Sequence, residues 1–225
     1  MDSRPETIAS ASTPRGEIAL RERTENDGTV VHELIVAGVF AMDTVDTSTE
    51  TALAERALEQ VDSPTRVLVG GLGLGFTAWQ VLKDRRVRDL HVVELEEDLV
   101  HWSRLGLTPT LGLLARHPRA TLHAGGVLQA LTEDEPSGPW DLVLLDVDNG
   151  PSFLVHEGNE RIYSQSSLAT IRTRIAKGGT LAIWAAQREP GLLGTLEKLA
   201  PTREVILPVE REGRSLEYAI YLTRG

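Results

Sequence analysis

The ten residues from Val67 to Phe76, VLVGGLGLGF, constrain the architecture more than any other stretch of the chain. A short apolar run passes into glycines at 70, 71, 73 and 75, and these lead directly into a helical pattern. Glycine is needed where a chain leaves a buried strand by a sharp turn, and where a side chain would hold the backbone away from a bound group. The helix that follows offers unpaired N–H groups and the positive end of its dipole at the same place. Such a turn belongs in a parallel α/β sheet and serves either an adenosyl group or a dinucleotide. The spacing G-x-G-x-x-A is also satisfied, by Gly73, Gly75 and Ala78.

The remainder of the chain follows that lead. After Pro64, short apolar runs predict strands at 66–69, 89–94, 120–124, 141–146 and 180–185, with helical patterns between them at 76–85, 99–104, 127–131 and 165–176. Strand and helix in alternation build a parallel sheet covered on both faces. The end departs from this rule. A helix at 192–199 precedes REVILPV and LEYAIYL, joined by a charged turn at 210–214 that is too short for a crossover, so the last strand runs antiparallel to its neighbour. The expected fold is α/β: a Rossmann-like sheet of the class I methyltransferase type, seven-stranded and mostly parallel, with an antiparallel C-terminal hairpin.

Upstream, residues 1–15 are rich in Ser, Thr, Ala and Pro without a period and read as a mobile tail. Residues 16–50 form a small β region: EIALRER and TVVHELIV flank the turn formers Asn26, Asp27 and Gly28, a further strand is expected at 39–42, and a helix at 51–60 opens the main domain, 51–225.

At 225 residues the chain holds one good core plus an appendage. The net charge of −10 leaves no basic stripe for nucleic acid. The charge is concentrated early, with 13 acidic and 5 basic side chains in residues 1–62, a field that suits a cationic partner such as an amine. No apolar run is long enough to span a bilayer and the N-terminus lacks the apolar core of a signal peptide, so no membrane partner and a cytoplasmic location are expected. The absence of Cys removes disulfides, thiolate metal sites and a thiol nucleophile, and the six His show no ligand spacing, so no metal is expected.

Two acids close strands at the carboxyl edge of the expected sheet. Glu94 in VVELEED ends the second strand, where a carboxylate can accept both ribose hydroxyls; Glu96, Glu97 and Asp98 read instead as helix-capping acids. Asp146 in WDLVLLDVDNGP ends the fourth, followed by Asp148 and Asn149, and a carboxylate there can hold a substrate amine or take its proton. The next loop, SFLVHEGNERIYS, carries His156, Glu157, Asn159, Arg161 and Tyr163, an unusual polar density for a short connection. The four Trp read as packing groups.

These segments, together with RIYSQSSLATIRTRIAKGGTLAIW and the hairpin leading to AGVFAMDT, fall in the order seen in spermidine synthase-like proteins, and the chain resembles that family over roughly residues 30–225. The resemblance implies a transferase that binds S-adenosyl-L-methionine or its decarboxylated form and moves an alkyl group, aminopropyl or methyl, to a small amine. Gly71, Leu72, Gly73, Gly75, Glu94, Leu95, Gly125, Gly126 and Asp146 would line the cofactor. Asp146, Asp148 and Asn149 would carry catalysis, and Glu50, His156 and Tyr163 would touch the acceptor. A homodimer is expected by the same likeness. The chain departs from the family where acids or gate residues are usual, at Leu74, at Gly125 and Gly126, at Asn149, and at Glu50 and Thr51. Three other readings stay open: an S-adenosylmethionine-dependent methyltransferase acting on an unrelated small molecule, a nicotinamide-dependent oxidoreductase and a non-catalytic binding subunit.

Overall fold

The computed structural model describes residues 4–147, 150–152, 154, 157–211 and 214–225. Its main body is a seven-stranded sheet whose strands are β5 (Arg66–Gly70), β6 (Asp89–Glu94), β7 (Ala120–Ala124), β8 (Trp140–Leu145), β9 (Ile175–Ala185), β10 (Thr202–Arg211) and β11 (Arg214–Arg224). They lie in the order β10-β11-β9-β8-β5-β6-β7. The five central strands are parallel; β11 is antiparallel to both β9 and β10, as the short final turn demanded. The chain first winds outward from β5 in one direction and later from β8 in the other. The crevice between β5 and β8 is therefore the switch point where such sheets hold ligands.

One face of the sheet is covered by α1 (Ser48–Leu58), α2 (Phe76–Lys83), α3 (Glu97–Leu105) and α4 (Pro109–Arg116). The other carries α5 (Val127–Glu133), α6 (Gln165–Thr173) and α7 (Pro190–Glu197). Runs such as Val67, Leu68 and Val69 on β5 are fully buried because they are covered from both sides, which is why they show no alternation.

A second, four-stranded antiparallel sheet precedes the main body: β1 (Glu6–Thr13), β2 (Gly16–Thr24), β3 (Val30–Val36) and β4 (Val39–Asp43). The expected hairpin is β2–β3, and β4 matches the further strand. The tail expected over 1–15 is corrected by β1, which pairs with β2 from Glu6↔Glu22 to Thr13↔Gly16. Ala9, Ala11 and Thr13 turn inward while Ile8, Ser10 and Ser12 face solvent. The strand has the two-residue period, but it is written in side chains too small to announce it. Ile18, Leu20 and Leu34 from this sheet belong to the same buried cluster as Val67, Val69 and Leu53, so the two sheets share a core.

Two helix boundaries also differ from expectation. Helix α4 was not anticipated, although Thr108 accepts the Leu111 N–H at 3.3 Å and Pro109 occupies the first turn, a standard opening. The helix expected to reach 176 stops at Thr173, because Ile175 already pairs with Trp140 as the start of β9.

Candidate active site

The floor of the site is built at the ends of β5 and β8. The Asp146 N–H donates to the Gly70 carbonyl at 2.9 Å and the Gly71 N–H to the Val93 carbonyl at 2.9 Å, so three strand exits are stitched together at one point. Gly71, at φ +93°, is obligatory: a Cβ there would stand 2.0 Å from the Asp146 carbonyl oxygen. Gly73, at φ +50°, faces the Met42 sulfur, which also accepts the Leu74 N–H at 3.2 Å. Gly75 starts α2 in a left-handed conformation, but it looks toward the Leu114 side chain of α4 and not into the cavity. The glycines thus serve the close approach of two loops and a helix as much as an open cradle.

Above this floor lies a cavity roofed by the N-terminal sheet, with Ile18, Leu34, Val36, Ala41 and Met42 in its wall. Glu94, at the end of β6, lines it while almost wholly buried. Its carboxylate accepts the Leu72 N–H at 2.7 Å and the Glu96 N–H at 2.8 Å. Burial pushes its pKa up; those backbone donors pull the other way. Leu72 contributes only this backbone contact, since its side chain belongs to the core. Leu95 and Gly126 line the same cavity, whereas Gly125 opens onto a neighbouring one shared with His123 and Gln129. A Cβ on Gly125 would meet nothing within 4 Å, and one on Gly126 only Leu95 at 3.9 Å. The space beside β6 and β7 is therefore open, with the Glu94 carboxylate beside it.

Asp146 sits half-buried at the opposite end of the floor. Its Oδ2 accepts the Thr77 hydroxyl at 2.6 Å. Burial, and next the field of Glu50, push its pKa up to about 7, against the pull of the Thr77 hydrogen bond. Glu50 stands in the first turn of α1 and lines the cavity, its Oε2 accepting the Thr49 hydroxyl at 2.7 Å. Asn159 and Trp184 complete this end of the wall. Of the other expected residues, Tyr163 packs in the core beside Ile162 and Leu168 and does not reach the cavity, which corrects its assignment to the acceptor. Asp148, Asn149 and His156 lie outside the described residues.

Sequence reasoning missed several participants. Thr77 is one residue inside α2 and gave no pattern signal. Met42 had read only as the end of a strand. Glu96, taken for a cap, is nearly buried and is gripped by Arg15 from the β1–β2 turn, at 2.7 Å from Nε and 2.8 Å from Nη2, while Nη2 also donates to the Leu95 carbonyl at 3.1 Å. Arg15 ties the roof to the floor. Arg15→Ala is expected to cost about 1–2 kcal/mol, because it strands the Glu96 carboxylate, and to accelerate amide exchange in residues 6–24. Urea unfolding and hydrogen exchange check both. Among the described residues no group of three His, Asp or Glu is placed to hold a metal. No helix among them is long and apolar enough to cross a membrane.

No family model matches the sequence. A polyamine aminopropyltransferase from Synechococcus sp. (strain JA-2-3B'a(2-13)) is 26% identical over 223 residues, covering 95% of this chain and 66% of the relative. Polyamine aminopropyltransferase 2 of Pseudomonas aeruginosa is 27% identical over 175 residues, 72% of this chain and 40% of the relative. The chain therefore spans less than two thirds of these relatives. Among solved structures, spermidine synthase in complex with the transition-state analogue AdoDATO superimposes with a TM-score of 0.77 at 17% identity, over 97% of this chain and 74% of that one. Spermidine synthase from Thermotoga maritima gives the same score and identity, over 97% and 73%. In sequence along nearly its whole length the chain is similar to polyamine aminopropyltransferases, and its fold is that of spermidine synthase.

Proposed function

We propose that the protein is an alkyltransferase that takes decarboxylated S-adenosylmethionine as donor and transfers its aminopropyl group to a small amine. The observation that carries this reading is the Asp146 carboxyl, held by Thr77 at the switch point and facing the same cavity as Glu94. The lining side chains include four carboxylates, of Glu50, Glu94, Glu96 and Asp146, and among the described residues no Lys or Arg. That polarity suits cationic ligands and, among the described residues, offers no cationic side chain to the carboxylate of an intact methionine tail, which favours the decarboxylated donor over S-adenosylmethionine itself. The names of the curated relatives support the same choice.

In this scheme the base and sugar lie toward Gly126 and Glu94, and the donor supplies a carbon activated by its sulfonium. Thr77 fixes Asp146 in one rotamer, and Asp146, with an affinity for protons near neutrality, takes one from the incoming ammonium. The nitrogen lone pair then forms the new C–N bond as the C–S bond breaks, its electrons staying on sulfur as a neutral thioether. The remaining task of the protein is alignment under a roof that keeps water out. A nicotinamide-dependent reading is less well supported, because the antiparallel β10–β11 pair stands where a dinucleotide fold continues with parallel strands.

Methylthioadenosine, S-adenosylhomocysteine and NAD should be compared by thermal shift, and decarboxylated donor with an amine panel by mass spectrometry. Methylthioadenosine is expected to raise the melting temperature, with an aminopropylated product detected. Stabilisation by NAD alone would overturn the reading.

A further inference from the structure

The chain has no Cys and two Met, of which one is residue 1, so Met42 carries its single internal sulfur atom. That atom stands where roof meets floor. Met42 is the penultimate residue of β4, and its sulfur accepts the Leu74 N–H at 3.2 Å. A Cβ on Gly73 would stand 2.6 Å from the sulfur, so the thioether rests directly on the glycine backbone. The same bend is held from the other side by Glu94, which accepts the Leu72 N–H at 2.7 Å, and it is closed by the Gly75 N–H on the Leu72 carbonyl at 2.8 Å. Met42, Gly73 and Glu94 all line the cavity.

A thioether fits this place because it is apolar enough to pack against the cluster of Ile18 and Leu34, yet soft enough to accept one weak hydrogen bond. A sulfoxide does not. It is polar and chiral, and its oxygen demands strong donors. On the side of Gly73 that oxygen meets main chain, since there is no room there for one further carbon. On the side of the cavity it stands among Ile18, Leu34 and Val36, whose side chains offer no donor, and it takes space from whatever the cavity holds. The bend does not shift freely to follow it, because the Leu74 side chain is fully buried in a close-packed interior. Met42 itself is partly exposed, next to the exposed Ala41, so a molecule as small as hydrogen peroxide can reach it.

We propose that Met42 is a modification site, oxidised by hydrogen peroxide to the sulfoxide, and that the added oxygen displaces the bend at Gly73 and Leu74 and weakens the hold of the cavity on an adenosyl ligand. The loss of affinity rests on the alkyl-transfer reading above; the displaced bend does not. The step balances: a sulfur lone pair attacks the peroxide, the O–O bond breaks, one oxygen stays on sulfur and water leaves. Sulfur is oxidised by two electrons and the peroxide is reduced by the same two. Methionine sulfoxide reductases return the sulfoxide to the thioether, so the change is reversible.

The test treats the full chain with hydrogen peroxide, locates the added oxygen by peptide mass mapping, and measures methylthioadenosine affinity by calorimetry beside hydrogen exchange at the Leu74 amide. The expected result is a sulfoxide at Met42, an affinity lower by about tenfold, faster exchange at Leu74, and recovery of both after treatment with the two methionine sulfoxide reductases. An unmodified Met42 under conditions that convert free methionine overturns the inference, and so does a sulfoxide there that leaves the affinity as it was. If the untreated protein does not bind methylthioadenosine, the parent reading falls instead, and Leu74 exchange alone decides whether the bend responds. The second arm is Met42→Leu, which keeps an apolar side chain of similar volume and has no sulfur to oxidise. Whatever its own starting affinity, peroxide is expected to change it by less than about twofold, and a drop as large as in the unsubstituted chain overturns the assignment to Met42. Where that variant does not fold, the reductase arm decides on the unsubstituted chain: an affinity that stays low once Met42 is a thioether again overturns the assignment.

Discussion

Asp146→Asn is expected to abolish most turnover and, at pH 8, to make the ligand-free protein more stable. The two effects share one cause. In the folded chain Asp146 has a pKa near 7, against 3.8 for the ordinary side chain, because burial and Glu50 both disfavour its charge. The folded state therefore keeps a proton that the unfolded state releases as pH rises from about 4 to 7. With fewer protons bound to the unfolded chain across that window, stability falls as pH rises. The favourable contribution is complete below the unfolded pKa and is lost once pH has passed the folded one. The full shift corresponds to about 4 kcal/mol, which we reduce to about 2 kcal/mol because the carboxyl keeps some contact with solvent in the cavity. Asparagine has no charge to bury and can still accept the Thr77 hydroxyl. Denaturant titrations of the two proteins should coincide near pH 4 and diverge toward pH 8 in favour of the variant. Turnover at pH 8 should drop by about 10²- to 10⁴-fold, the usual worth of a positioned base. A variant that retains full activity, or that is less stable at pH 8, would sink the role given to this carboxyl.

Gly71→Ala is the most damaging single methyl group the structure identifies. The added carbon would stand 2.0 Å from the Asp146 carbonyl oxygen, a main-chain atom that cannot rotate away, at a φ of +93° that L side chains rarely adopt. Relief requires parting the exits of β5 and β8, which breaks the hydrogen bond from the Asp146 N–H to the Gly70 carbonyl. A loss of about 3–5 kcal/mol is expected from strain and disrupted pairing together. Urea unfolding measures it directly. Gly73→Ala is the internal comparison: its Cβ meets only the flexible end of Met42, so it should fold with a cost nearer 1 kcal/mol. Equal stability for the two variants would mean that the loops are farther apart than described.

The contrast between those glycines shows what could be read from sequence and what could not. The pattern VLVGGLGLGF located the turn and its flanking strand and helix correctly, because sharp exits from buried strands have few solutions. It did not say which glycine yields to a ligand, which to a neighbouring loop and which to α4, since that depends on chains that arrive from elsewhere. Glu94 and Asp146 were legible for a related reason: a polar residue ending an apolar run marks the sheet edge. Thr77, Met42 and Arg15 were not, because each acquires its role through a partner distant in sequence, 69 residues away for the Thr77–Asp146 hydrogen bond and 81 for Arg15 with Glu96. Strand β1 was hidden by composition, because its inward positions are two alanines and a threonine, which bury too little surface to be recognised as a face. Tyr163 illustrates the opposite error. A polar-rich loop suggested a ligand wall, but the aromatic ring found the core first.

The shared core beneath the roof has a consequence for how anything enters the cavity. Swinging the N-terminal sheet outward would bare Ile18, Leu20 and Leu34, each now almost inaccessible to water. At about 2 kcal/mol for each such side chain, the raised form would be populated in roughly one molecule in ten thousand. Lifting the sheet whole is therefore a rare event, and the N-terminal strands behave as a standing wall of the vault.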